Sequence, residues 1–115
     1  MSTRANIIVK DVQSEQIFYK HSDGYPEGTM PLLEKFLGYV KDGLIRSNVS
    51  QGAPWLIVLG HQEYVEEGCA VPVPNNKEHW AWKVGSIELT DCIHSDIEYL
   101  YTVDLVEKTI TVENK

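Results

Sequence analysis

Apolar positions alternate near both ends of this chain and recur every three to four residues in its middle, so the hydrophobic period divides it into strands and helices. Residues 6–10 (NIIVK) and 16–21 (QIFYKH) are short, β-branched and aromatic. The polar stretch between them predicts a hairpin. Ser22-Asp23-Gly24-Tyr25-Pro26-Glu27-Gly28 then reads as a tight, conformationally specified loop. Thr29 is placed to cap a helix over residues 30–42 whose first turn accepts Pro31. Leu32, Leu33, Phe36, Leu37, Val40 and Leu44 form its apolar stripe, and Gly43 suits the left-handed position that ends it.

The run 54–59 (PWLIVL) fits a buried strand or the start of a buried helix. Pro54 at a first helical position, and continuation into Gly60-His61-Gln62-Glu63-Tyr64, favour a helix. Residues 71–76 (VPVPNN) predict an exposed extended loop, because proline cannot donate to a ladder. Alternation returns in Trp80, Trp82 and Val84, in Ile97, Tyr99, Tyr101, Val103 and Leu105, and in Ile110 and Val112, with a turn at 106–108. The order ββααβββ predicts an α+β fold, a mainly antiparallel sheet of about five strands with two helices packed on one face.

The chain's 115 residues fit a single domain over 1–115. The net charge of −7 argues against direct nucleic-acid binding, since the basic residues are scattered. That acidity serves solubility, and it also suits docking on a basic protein surface. Cys69 and Cys92 lie in different segments without a C-x-x-C spacing, which points to a reducing, cytoplasmic setting. The apolar run 55–59 is far short of the roughly 20 residues that a bilayer requires, so no membrane role is expected.

The chemistry that stands out is a doubled tripeptide, His21-Ser22-Asp23 and His94-Ser95-Asp96. In extended backbone, residues i and i+2 share a face, so each copy can aim an imidazole and a carboxylate at one point. If the two copies converge, His21, Asp23, His94 and Asp96 suit a divalent transition metal. Without metal, His21 and Asp23 suit general acid–base catalysis. The plainer reading is turn chemistry at Asp23 and a solvated strand face bearing His94, Asp96 and Glu98. Arg4 can pair with Asp23 or with an anionic ligand. Ser2 would be an N-terminal nucleophile if Met1 were removed. Trp80 and Trp82 suit sheet packing, an aromatic pocket or a homodimer face. Walker A, G-x-G-x-x-G, G-x-S-x-G and H-E-x-x-H motifs are absent from the sequence.

The opening Met1-Ser2-Thr3-Arg4-Ala5-Asn6-Ile7, followed by Tyr19-Lys20-His21-Ser22-Asp23-Gly24-Tyr25-Pro26, resembles a group of small uncharacterised phage and prophage proteins. These open M-[SG]-T-R and carry a Y-x-H-x-D-G-Y segment, then a helix and a late aromatic strand, here 97–101 (IEYLY). The resemblance carries no known activity. It implies a phage or mobile-element setting in a bacterial cytoplasm, and treats Thr3, Arg4, His21, Asp23, Gly24 and Tyr25 as one unit. The first expectation is an accessory protein that binds a basic partner protein or a small anionic ligand, with Arg4, Thr3 and Tyr25 at the ligand, and that antagonises a host defence or nucleic-acid enzyme. The alternative is a small hydrolase or metal-dependent enzyme centred on the two His-Ser-Asp segments.

Overall fold

The computed structural model describes residues 3–67 and 84–115. Its elements are β1 (Ala5–Lys10), β2 (Glu15–Lys20), α1 (Pro26–Lys41), α2 (Val49–Gly52), α3 (Pro54–Glu66), β3 (Ile87–Thr90), β4 (Tyr99–Asp104) and β5 (Thr109–Asn114). Apart from the single turn α2, this is the expected ββααβββ order, and the α+β class holds. The strands form one sheet in the order β3-β2-β1-β4-β5, antiparallel except where β1 lies parallel to β4.

Strand alternation decides which face is buried. Ala5, Ile7 and Val9 are fully buried, and their register partners continue that face through Phe18 of β2 and Tyr101 and Val103 of β4. Leu32, Leu33 and Phe36 of α1 and Leu56 of α3 pack on it to make the core. Asp11 closes the β1–β2 hairpin: its Oδ1 accepts the N–H groups of Gln13 and Ser14, each at 2.8 Å. Its Oδ2 accepts the Val49 N–H at 2.8 Å, which ties the hairpin to the start of α2. These bonds, led by that from Val49, hold the Asp11 carboxyl below its ordinary pKa.

Three expectations change in detail. Helix α1 begins at Pro26, four residues earlier than the stripe implied, because Pro26 supplies the first-turn φ itself. Thr29 is therefore not the cap; it lies buried in the first turn, and its hydroxyl donates to the Asp23 carbonyl at 2.9 Å. The third strand is Ile87–Thr90. Residues 80–83, where it was expected, lie outside the described residues, as do the 71–76 loop, Ser2 and the Trp80–Trp82 face, whereas Val84 is described and belongs to no strand. The helix over 54–66 and the left-handed Gly43, at φ 79°, are as expected.

The parallel β1–β4 pair forces the β3–β4 connection to travel back across the sheet. Residues 91–98 make this passage over the face opposite the helices, pinned by the buried Asn6. Asn6 Nδ2 donates to the Phe18 carbonyl at 2.9 Å, and its Oδ1 accepts the His94 N–H at 2.8 Å. No helix among the described residues is long and apolar enough to cross a membrane.

Candidate functional site

The two His-Ser-Asp copies do different things. His21 directly follows β2, and its N–H donates to the Ser86 carbonyl at 3.2 Å. Its ring lies 6.5 Å from that of Tyr19, on the open face of the sheet. Asp23, two residues on, has φ 53°. The left-handed backbone breaks the extended geometry that would have kept Asp23 beside His21, and it faces the helix side instead. The first pair is therefore split.

The second copy lies in the crossing loop. The His94 ring stacks on Tyr19 with centroids 4.0 Å apart, and its Nε2 lies 3.1 Å from Thr90 Oγ1. Asp96 Oδ2 accepts the Tyr19 hydroxyl at 2.9 Å and lies 3.5 Å from Arg4 Nε. Arg4 thus pairs with Asp96 and not with Asp23 as expected, because β1 and β4 run parallel and bring the loop before β4 to the start of β1. Burial, reinforced by the bond to Asp96, pushes the Tyr19 phenol up. Tyr19 is the hub on which His21, His94, Asp96 and Arg4 assemble. Asp23 is on the other side of the sheet, so the four-residue cluster does not form. Among the described residues, no group of three or more His, Cys, Asp or Glu side chains is placed to share a metal ion.

On the helix side, the loop after β2 is nested against the start of β1. The Gly24 N–H donates to the Thr3 carbonyl at 2.9 Å, and the Gly24 carbonyl accepts the Tyr101 hydroxyl at 2.7 Å. A Cβ at position 24 would lie 2.9 Å from Ala5 Cβ and 3.0 Å from the Arg4 backbone, so only glycine fits. Thr3 contributes its carbonyl here. Thr3, Arg4 and Gly24 thus lie together at the start of β1.

This nested loop forms one wall of a polar cleft of about 180 Å³, with α3 as the opposite wall. Lys20 is its floor. Its register partner is Ala5, so it points to the helix face, and it is only 5% exposed. Lys20 Nζ donates to the buried Ser86 Oγ at 2.9 Å, and among the described residues no carboxylate lies within ion-pair distance of it. Ser22 and Tyr25 line the cleft from the loop side. From α3 come Glu63, Tyr64 and Glu67. Burial pushes the Lys20 amine down, against the attraction of Asp23, Glu63 and Glu67. Burial also pushes the Glu63 carboxyl up, against Lys20 and with Glu67. Opposite shifts on two groups lining one cleft mark a site where charge is poorly solvated.

Lys20, Glu63, Glu67 and Ser86 were not among the sequence candidates. A signal existed: Phe18 and Lys20 are two apart in a strand, so a core residue and a lysine share a face, while Glu63 and Glu67 are one helical turn apart. Elsewhere, an apolar groove of about 490 Å³ between β2–β3 and α2–α3 is lined by Phe18, Val49, Ile57 and Leu89.

Fold and site together define a small α+β domain with a lysine-floored polar cleft between its β2–α1 loop and its third helix. Compared with protein-family models, with curated proteins and with solved structures, the chain matches none.

Proposed function

We propose that this chain is a phage- or prophage-type accessory protein that works by binding, and that its recognition site is the Lys20 cleft. The observation that carries this reading is the lysine itself. A buried ammonium with three donors and, among the described residues, one hydrogen-bond partner is costly unless something completes its coordination. A small ligand bearing a carboxylate or another strong acceptor would do so, in a cleft also lined by Ser22, Tyr25 and Ser86. The N-terminal resemblance supports the phage setting.

The hydrolase or metal-enzyme alternative has less support, since Asp23 is separated from His21 by the sheet and Asp96 is engaged by Tyr19 and Arg4. Docking on a basic protein is favoured by the net charge of −7, and such an association would weaken with salt.

The test is thermal unfolding of the full chain against a panel of small carboxylates, phosphates, amino acids and amines. A ligand present at about ten times its Kd stabilises by roughly 1.4 kcal/mol, a shift of several degrees. At least one panel member should raise the Tm of the parent and not that of Lys20→Met. If none does so, the cleft is not the binding site.

A further inference from the structure

We infer that Lys20 is a nucleophile that captures a small carbonyl compound, an aldehyde or ketone of a few carbons, as an imine in the cleft. The inference rests on the cleft being the recognition site and goes beyond the binding reading by adding a covalent step. A buried amine can shed the cost of its charge in two ways: it can gain an acceptor, or it can give up its proton. The second way exposes a lone pair on Nζ. Among the described residues, Nζ has Ser86 Oγ as its hydrogen-bond partner and no carboxylate within ion-pair distance, so nothing there occupies that lone pair. Lys20 is 5% exposed yet lines a cleft of about 180 Å³, so a carbonyl carbon can reach an amine that bulk water barely solvates. That volume is smaller than a drug-sized ligand needs and suits a molecule of a few carbons.

The surrounding charges pull both ways. Burial outweighs the attraction of Asp23, Glu63 and Glu67 and pushes the Lys20 amine down. Burial likewise pushes the Glu63 carboxyl up; Lys20 and Lys35 oppose this, and Glu66 and Glu67 reinforce it. Glu67 has a further interaction of its own and is given no role in the chemistry. A proton moved from Lys20 to Glu63 removes two poorly solvated charges at once. The neutral Nζ then adds to the carbonyl carbon, and a proton passes from nitrogen to the former carbonyl oxygen to give a carbinolamine. Its hydroxyl leaves as water with the proton from Glu63, while the nitrogen lone pair closes the C=N bond. The remaining N–H proton returns to Glu63. Amine and carbonyl thus give imine and water, with no change of oxidation state.

The experiment is reductive trapping of the full chain with propanal and cyanoborohydride at about pH 7, where an exposed lysine is ordinarily almost wholly protonated. The hydride reduces the imine to a stable secondary amine, and peptide mapping by mass spectrometry locates each propyl group. Lys20 should be propylated faster than the exposed Lys41 and Lys115, by roughly tenfold for each pH unit by which its amine titrates lower than theirs. In urea sufficient to unfold the chain, the preference should disappear, because it belongs to the fold and not to the local sequence. If Lys20 reacts no faster than Lys41 and Lys115, or if its preference survives in urea, the nucleophile inference is overturned. The binding reading is judged separately, by the thermal panel, whose carboxylates, phosphates, amino acids and amines form no imine with a lysine.

Discussion

Tyr101→Phe deletes one oxygen and tests how the cleft loop is held. The hydroxyl donates to the Gly24 carbonyl at 2.7 Å, and Tyr101 and Gly24 are both buried. Removing the donor leaves that carbonyl without its side-chain partner, a loss of about 1–3 kcal/mol. For a domain of 115 residues, that corresponds to a drop in Tm of roughly 4–12 °C. Burial also pushes the Tyr101 pKa from 10.0 up to about 12, since the phenolate cannot be accommodated. The sign follows directly: above pH 10 the unfolded chain releases this proton while the fold retains it, so Tyr101 makes the parent less stable as pH rises towards 12. Phenylalanine has no such proton. The difference between parent and variant should be full at about pH 8 and shrink through that alkaline window, measured by urea unfolding. A Tm loss below about 2 °C, or stability curves that stay parallel above pH 10, would refute the role assigned to this bond.

Asn6→Ala should destabilise by about 1–3 kcal/mol and speed hydrogen exchange at the His94 amide, because one buried side chain bonds both the Phe18 carbonyl and the His94 N–H; unchanged exchange at His94 would contradict that pinning. Asp11→Ala should lower the Tm at neutral pH, and the deficit should fade in acid: the folded carboxyl titrates below 3.8, so its contribution is present above that value and is lost as pH falls through the folded pKa. A deficit that is constant with pH, followed by circular dichroism, would show that the carboxylate charge is not what matters. Gly24→Ala should cost about 1–3 kcal/mol through the contact with Ala5, and in combination with Tyr101→Phe the two losses should not add, since both act on one loop.

The fold was legible where the periodic signal was long. The stripe from Leu32 to Val40 defined the buried face of α1, and Gly43 at φ 79° marked its end. Strands β1, β2 and β4 carried enough β-branched and aromatic residues to be found within two residues of their ends. β3 was missed because Ile87-Glu88-Leu89-Thr90 offers only two alternations, fewer than the aromatic run just before it. The site was less legible, for two physical reasons. Extended backbone would keep the two ends of the first tripeptide on one face, but a single positive φ at Asp23 puts that residue on the opposite side of the sheet. Lys20 carries no signal of its own in the sequence because a lysine at a strand end ordinarily faces solvent, and only the pairing of that position with Ala5 turns it towards the helices.

Tyr19 and Lys20 show how one strand serves both faces. They are consecutive in β2, yet Tyr19 anchors His94 and Asp96 on the open face while Lys20 floors the cleft on the helix face. Alternation makes their roles inseparable from register: a slip of one residue would put the lysine under the crossing loop and the tyrosine beneath α3. What opposes the slip is distributed over both faces. Asn6 grips the Phe18 carbonyl and the His94 amide, and the next residue towards the chain end, Ala5, packs beneath Gly24 on the other side. The N-terminal segment and the tripeptide loop therefore act as a unit because together they lock the register of β2, which is the condition for Lys20 to lie in the cleft at all.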